Sequence, residues 1–361
     1  MKTRWAAAVL ALCLVLSGCS WGSGSYVSVT PHQEHTGGSQ MDSISASNYY
    51  QLRQAVANLV EAGTENAVIH VSEYPQDLIE TGMNAAVHYV QELLPLGAYA
   101  VESMQYEIGT VAGKPAVSVS ISYIHGRSEL RKVRRVDTME DARDEIRAVL
   151  EQCGDSVVLL VEQYSDRDIR QMVEDFAGEK PNLVIEVPQV AVGLYPDSGS
   201  SRVLELKFTY QTSRDALRQM QTQVQRVFSS ASLYVSSDGE DEQKYAQLYT
   251  FLMERFDYVQ ETSITPSYSL LCHGVGDSEA FATVFAAMCR QAGLDCRVVS
   301  GTRAGEAWYW NLILTGDQYR HVDLLASKAL GALQMLTDEQ MQGYVWDYSA
   351  YPAAESAEAE E

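Results

Sequence analysis

The chain has 361 residues, of which 46% are hydrophobic and 20% are charged, and its formal net charge is −22. This composition is typical of folded globular protein and excludes a collagen-like, wholly disordered or polytopic membrane chain. Binding to a phosphate backbone needs a basic surface, so we expect no nucleic-acid partner. The length allows two or three domains.

The N-terminus has the pattern of an exported lipoprotein. Basic residues precede an apolar run of 12 residues from Trp5 to Leu16, which is too short to span a bilayer but fits a signal peptide. The run ends in Leu16-Ser-Gly-Cys19, which resembles a bacterial lipobox with cleavage before the cysteine. We expect a lipoprotein signal peptide at 1–18 and a chain held outside the cytoplasm on the cell membrane by lipid on Cys19. An ordinary secretory signal is the alternative.

Composition shifts along the chain predict the domain boundaries. Serine, glycine and histidine dominate the segment before the first helix, a polar linker runs from Ser236 to Asp241, and the C-terminal tail is mostly alanine and glutamate. The predicted segments are a flexible spacer at 19–45, α+β repeats at 46–135 and 136–235, a third α+β domain at 240–352, and an acidic tail at 353–361.

An internal duplication underlies the two predicted repeats. The segment beginning at Ala67 matches the one at Val157 with an offset of 90, and the alternating strand at 117–123 matches 204–210 with an offset of 87. Each unit has the pattern helix, strand, helix, strand, strand, which is typical of scaffolds, spacers and partner-binding surfaces. The predicted helices are 49–62, 83–94, 138–152 and 166–177. The predicted strands are 67–73, 103–109, 116–124, 156–163, 182–188 and 202–210.

A basic run interrupts this acidic protein near the end of the first repeat. Either it contacts an anionic polymer or lipid, or it is a solvated helix face paired with the acidic residues that follow, which we favour. Its members are Arg127, Arg131, Lys132, Arg134 and Arg135.

The cysteines leave two interpretations open. Outside the cell, a local disulfide between neighbouring cysteines is plausible, and buried free thiols are equally so. The histidine and cysteine spacings match no zinc pattern and there is no glycine-rich phosphate loop, so we expect neither a metal nor a cofactor. The cysteines concerned are Cys153, Cys272, Cys289 and Cys296.

The third predicted domain contains the motifs of a known family. After an amphipathic helix at 242–256, a second helix begins near Asp277 or Ser278 and stops at Gly293. Strands then follow at 296–301 and 308–314, with a hairpin partner at 318–323. The motifs, in chain order, are Ser278 to Ala282, Ala292 to Leu294, Val299 to Gly301, Trp308 to Asn311, Tyr319 with His321 to Asp323, and Tyr344 to Asp347 with Tyr351-Pro352.

These motifs, in this order, resemble the transglutaminase-like domain, which has a papain-type α+β fold. The family pattern is a helix start with Cys-x-Gly-Tyr-Ala, a strand with His-Ala-Trp-Asn, and a later strand ending in Val-Asp. The resemblance covers 240–352. It implies that Ser278 occupies the position of the family's nucleophilic cysteine, Trp308 that of its base, and Asp323 that of the aspartate that orients the base.

Two of the three catalytic roles are therefore lost. A serine hydroxyl is far less acidic than a thiol and needs a base even more, and an indole cannot supply one. The resemblance thus implies a catalytically inactive domain. Other candidates for catalysis are Cys272 and His273 just before the helix, and His321 on the strand that ends at Asp323.

The sequence is therefore compatible with three functions. The leading hypothesis is a membrane-anchored binding or scaffolding module at the cell envelope. In that case Trp308, Tyr309 and Trp310 either bind a peptide, glycan or envelope protein in the old cleft or only fill it. The second is an active Ser- or Cys-dependent peptidase or amide transferase acting on cell-wall peptides or secreted proteins. The third is a structural lipoprotein within an assembly, recognisable by large exposed patches.

Overall fold

The computed structural model describes residues 44–260 and 266–355. The predicted signal peptide, Cys19 and most of the spacer and acidic tail therefore lie outside the described residues. From Ser45 onward the chain forms one compact unit of helices and strands. Within the described ranges, no helix is both long and apolar enough to cross a membrane.

The first sheet has the strand order β1-β2-β4-β3. Its strands are β1 (Ile44–Ser45), β2 (Asn66–His70), β3 (Val101–Val111) and β4 (Lys114–Tyr123). The accompanying helices are α1 (Tyr49–Glu61), α2 (Ile79–His88), α3 (Pro95–Ala100) and α4 (Arg127–Leu130), with a π-helical turn at Tyr89–Leu93. Along β4, Val117, Val119 and Ile121 are buried while Ser118 and Ser120 are exposed, as expected for a sheet with one solvated face.

The second sheet has the order β5-β6-β8-β7. Its strands are β5 (Arg134–Thr138), β6 (Ser156–Gln163), β7 (Gln189–Tyr195) and β8 (Arg202–Thr209), and its helices are α5 (Met139–Glu151) and α6 (Ile169–Glu179). β5 is parallel to β6, and the other pairs are antiparallel.

Two predictions in this region are wrong. The strand predicted at 182–188 begins only at Gln189, because Pro188 has no N–H to donate to a sheet ladder. The basic run is not one helix face. α4 ends at Leu130, and Arg134 and Arg135 lie in β5, where pairing with β6 overrides the helical pattern. These two arginines are paired with Glu145 and Glu61.

The third sheet is antiparallel with the order β13-β12-β11-β14. Its strands are β11 (Cys296–Arg303), β12 (Glu306–Thr315), β13 (Gln318–Val322) and β14 (Tyr344–Trp346), and a separate parallel pair is formed by β9 (Asp257–Tyr258) and β10 (Val275–Gly276). The helices are α7 (Arg214–Tyr234), α8 (Asp241–Arg255), α9 (Pro266–Tyr268), α10 (Ser278–Gln291) and α11 (Leu324–Leu330), with a π-helical turn at Ser269–His273.

The core of this last region includes α7, a helix of 21 residues that the sequence pattern did not predict. Its buried side chains Val224 and Phe228 lie in the same cluster as Tyr245 of α8 and Phe285 of α10. The core that supports the third sheet therefore begins before residue 240.

One hydrogen bond holds α10 against β12, and one glycine allows β14 to pack closely on β11. Asn311 of β12 is fully buried, and its Nδ2 donates to the carbonyl of Ala282 in α10 over 2.8 Å. At Gly301 of β11, an added Cβ would collide with the carbonyl oxygen of Val345 and lie 2.8 Å from the Trp310 ring. A side chain at position 301 would therefore push β14 off the sheet.

Candidate functional site

Ser278 is the first residue of α10, and the local sequence determines this position. The Asp277 side chain caps the helix by accepting the N–H of Ala280 over 2.9 Å. The Ser278 side chain is buried against β12, where its Oγ accepts the N–H of Tyr309 over 3.3 Å. The hydroxyl therefore lies at a helix N-terminus, as the nucleophile of the resembled family would.

Trp308 is brought to the site by the hairpin between β11 and β12. Ala304 and Gly305 both have positive φ, 53° and 86°, as a two-residue hairpin turn requires. This turn pairs Trp308 with Gly301. The Trp308 Nε1 donates to Oδ2 of Asp323 over 2.8 Å. An indole thus makes the hydrogen bond to the aspartate that an imidazole would make in the resembled family.

Asp323 is buried and saturated with donors. Its Oδ2 also accepts the Tyr344 hydroxyl over 2.6 Å and the Arg303 Nη1 over 3.4 Å. Its Oδ1 caps α11 by accepting the N–H of Ala326 over 2.9 Å. Burial, followed by the hydrogen bond to Asp323, raises the pKa of Tyr344 above its ordinary value, so the tyrosine remains a donor. Asp323 acts as a structural anchor.

Arg303 and Tyr258 pack against the aromatic rings near Asp323. The Arg303 guanidinium lies 5.2 Å from the Trp308 ring centre and 5.4 Å from that of Tyr344. The Tyr258 ring lies 5.8 Å from Trp308. The space lined by Ser278, Tyr309 and Leu324 is too narrow to hold a water molecule, and Ser278 is only 7% exposed.

His321 is engaged elsewhere. It is 1% exposed, its Nδ1 accepts the Trp310 Nε1 over 2.9 Å, and its Nε2 lies 2.8 Å from Oδ1 of Asp338. Since Nδ1 is an acceptor, the ring proton is on Nε2 and is donated to Asp338. Burial lowers the pKa of His321 and outweighs the opposite effect of Asp338. Both ring nitrogens are used, so His321 has no free nitrogen to take a proton from Ser278.

Cys272 and His273 lie in the π-helical turn that precedes β10. Burial raises the pKa of the Cys272 thiol, and a hydrogen bond with Tyr268 opposes this only in part. The His273 ring contacts the Tyr268 ring edge-on at 5.4 Å. A thiol with a raised pKa is a poor nucleophile at neutral pH, so this pair lacks the electrostatics of an activated cysteine.

The three aromatic residues predicted for the cleft differ in their placement. Trp308 and Tyr309 are half-buried, whereas Trp310 is fully buried in a cluster with Tyr344 and Trp346. Burial, followed by the charge of Glu279, raises the pKa of Tyr309. Only Trp308 and Tyr309 of the three are therefore partly exposed.

Sequence reasoning missed the partners of the buried aspartate. Arg303 could have been found from the hairpin register, because a two-residue turn at Ala304 and Gly305 places it diagonally across from Trp308 on one face. Tyr344 was noticed only as part of a domain end. Asp338, the partner of His321, begins a short 3-10 helix, and its contact with the histidine depends on tertiary packing.

The histidine, cysteine and acidic side chains of residues 44–260 and 266–355 form neither a metal-binding group nor a disulfide. No group of three histidine, cysteine or acidic side chains is arranged to hold a metal ion there. The four cysteines of this part of the chain are free thiols, and three of them are buried.

Comparison with known proteins identifies the region that contains this site. Residues 230–350 match the transglutaminase-like superfamily. Among curated proteins, none matches the chain.

Solved structures with matching segments have low similarity. A TGase is 12% identical, with 60% of this chain and 63% of that chain covered and a TM-score of 0.26. A "putative cysteine protease" from Cytophaga hutchinsonii is 14% identical, with 44% and 70% covered and a TM-score of 0.25. A "putative protease" from Parabacteroides distasonis ATCC 8503 is 9% identical, with 71% and 40% covered and a TM-score of 0.23. The chain thus spans less than two thirds of the TGase it matches.

Proposed function

We propose that the transglutaminase-like domain of this chain is catalytically inactive and serves as a binding or scaffolding module of a lipoprotein at the cell envelope. The observation that carries the proposal is the hydrogen bond from Trp308 to Asp323. An indole N–H donates but has no lone pair to accept a proton, so it cannot act as the general base.

The surroundings of Ser278 support the same conclusion. Acyl transfer through a serine needs a base within hydrogen-bond reach of the hydroxyl. In the part of the chain that the structure describes, the Ser278 Oγ is hydrogen-bonded to the backbone N–H of Tyr309, which is a donor. The buried Asp323 accepts four donors and orients no imidazole.

We further propose that the first two sheets are tandem repeats that hold this domain away from the membrane. Their strand orders, β1-β2-β4-β3 and β5-β6-β8-β7, follow one scheme. Ala67 pairs with Val119 in the first sheet, and Val157 pairs with Leu206 in the second. These pairs are related by the same offsets, 90 and 87, as the sequence match. The register thus supports a duplication.

The test of inactivity uses the full chain with two probes, a fluorophosphonate for serines and an iodoacetamide for thiols. We expect no label at position 278 in the wild type, and the same pattern in Ser278→Ala. Cys272→Ala should remove only slow labelling of that half-buried thiol. Fluorophosphonate labelling that disappears in Ser278→Ala, or amide hydrolysis that does so, would contradict the proposal and identify the nucleophile.

The proposed anchor is tested separately by growing cells with an alkynyl fatty acid. Lipid on Cys19 predicts that the wild-type chain is labelled and sediments with membranes. Cys19→Ala should lose both properties, whereas Cys13→Ala, within the apolar run, should keep them. A Cys19→Ala chain that is still labelled would rule out this anchor.

A further inference from the structure

The outer face of the second sheet is only partly covered. Leu96 and Tyr99 of α3 pack with Leu160 and Val203 in one buried cluster. Further along β5 and β6 the same face continues to Arg135 and Glu162, where a groove of about 490 Å³ remains open. Its size is within the roughly 300–1,000 Å³ that small-molecule sites occupy.

One arginine and two glutamates, with a net charge of −1, lie along this groove. Arg135 lies 3.3 Å from a carboxylate oxygen of Glu61 and 3.8 Å from one of Glu162. Ser201 donates its hydroxyl to the other oxygen of Glu162 over 3.2 Å. All three charged side chains are about half exposed, so a guanidinium with five N–H donors and two carboxylates retain hydrogen-bonding capacity toward the groove.

The two walls of the groove differ in chemistry. One wall is apolar and comes from the end of the π-helical turn and the start of α3, where Leu93 is 56% exposed and Pro95 follows it. The opposite wall is the loop Ser198–Ser201, with hydroxyl groups and exposed backbone. The groove therefore offers an apolar contact beside mixed donors and acceptors.

We propose that this groove binds a short neutral oligosaccharide. A cationic ligand would compete with Arg135 for the two glutamates, and an anionic ligand would be repelled by the net charge of −1. Sugar hydroxyls can donate to the carboxylates and accept from the guanidinium without breaking either ion pair. The C–H face of a sugar ring then packs against Leu93 and Pro95. This site lies outside the transglutaminase-like region and does not depend on whether Ser278 is catalytic.

Isothermal titration calorimetry of the full chain in detergent micelles tests the proposal, with maltotriose, cellotriose and the N-acetylglucosamine trimer as probes. We expect at least one trisaccharide to bind. Arg135→Gln and Glu162→Gln should each weaken its binding tenfold or more, because each removes charge-assisted hydrogen bonds. Glu145→Gln is the matched control, since it breaks the neighbouring ion pair with Arg134 outside the groove and should leave the affinity unchanged.

Leu93→Ser keeps the proposal testable if a charge variant fails to fold, because this exposed side chain can be changed without touching the ion pairs. It should weaken binding several-fold while thermal unfolding stays the same. No binding by any of the three trisaccharides, or binding that the groove variants leave unchanged, would overturn the proposal. Binding of trilysine or triglutamate in place of the sugars would overturn it too and assign the groove to charged peptides.

Discussion

Two clusters of side chains in the C-terminal region contain, separately, the residue types that a catalytic triad would combine. The triad cluster consists of Ser278, Trp308 and Asp323, and the histidine cluster consists of Trp310, His321 and Asp338. The first has a hydroxyl at a helix N-terminus and a buried carboxylate that accepts an indole N–H. The second has an imidazole hydrogen-bonded to a carboxylate but no nucleophile. A nucleophile–imidazole–carboxylate triad needs all three groups in contact, and neither cluster contains all three.

The clusters also differ in charge. Asp323 is a buried carboxylate that accepts a guanidinium, a phenol, an indole and a backbone N–H. His321 accepts the Trp310 N–H on Nδ1, as only a neutral ring can, and burial lowers its pKa. The loss of Asp323 should therefore be costly in the triad cluster, whereas the histidine cluster should become sensitive on acidification.

The largest expected effect is that of Asp323→Ala. It leaves the half-buried Trp308 and Tyr344 donors and the Arg303 charge without their shared acceptor and removes the cap of α11, so we expect a loss of about 3–5 kcal/mol in the free energy of unfolding. Urea denaturation of the full chain measures it. Asp347→Ala is the control, because the hydrogen bonds described for this exposed cap both come from Ser349, so its loss should lower stability far less than the loss of Asp323. Equal losses in the two variants would mean that Asp323 is no anchor.

A smaller loss is expected for Trp308→Phe. Phenylalanine keeps a ring between Arg303 and Tyr258 but removes one of the four donors to Asp323, which predicts a loss of about 1.5–3 kcal/mol. Tyr309→Phe, which removes a neighbouring hydroxyl without touching Asp323, should stay within about 0.5 kcal/mol. The same urea titration compares both. If Trp308→Phe left the free energy of unfolding unchanged, the hydrogen bond of the indole N–H would not contribute to stability.

Much of the fold could be predicted because local pattern and tertiary structure agree. The strand predicted at 156–163 has the observed bounds, and the helix predicted at 49–62 is found at Tyr49–Glu61. α7 was missed because its buried stripe, Leu217, Val224, Phe228 and Ala231, is sparse among arginine, glutamine and serine. Such a helix owes its stability to tertiary packing, which periodicity alone underestimates.

The candidate site was predictable only in its backbone positions. The resemblance placed Ser278, Trp308 and Asp323 from motif order, and of the two caps predicted, Asp277 or Ser278, Asp277 is the one observed. The partners Arg303 and Tyr344 were not predicted, because their contacts depend on how β11, β12 and β14 are aligned. Pairing across strands distant in sequence is tertiary information that a single sequence does not contain.

A constructive test restores the missing roles with Ser278→Cys and Trp308→His together. The new imidazole would lie between Asp323 and a thiol at a helix N-terminus, where both the dipole and the imidazolium lower the thiol pKa. We expect iodoacetamide to alkylate position 278 at least tenfold faster at pH 7 than in Ser278→Cys alone, measured by peptide mass spectrometry. Equal rates would mean that a cysteine and a histidine at these two positions do not form an activated pair.

The smallest expected effect is a pH dependence of the free energy of unfolding that comes from the histidine cluster and not from the triad cluster. In the unfolded chain His321 has its ordinary pKa of about 6.5, and burial lowers the pKa in the folded state. Between the two values the unfolded state binds more protons, so stability is complete above about pH 6.5 and falls as the pH drops toward the folded pKa. The slope reaches at most about 1.4 kcal/mol per pH unit. His321→Gln should flatten urea-derived stability between pH 5 and 7, whereas His273→Gln, at an exposed position, should keep the slope. An unchanged slope in His321→Gln would show that another group causes the acid sensitivity.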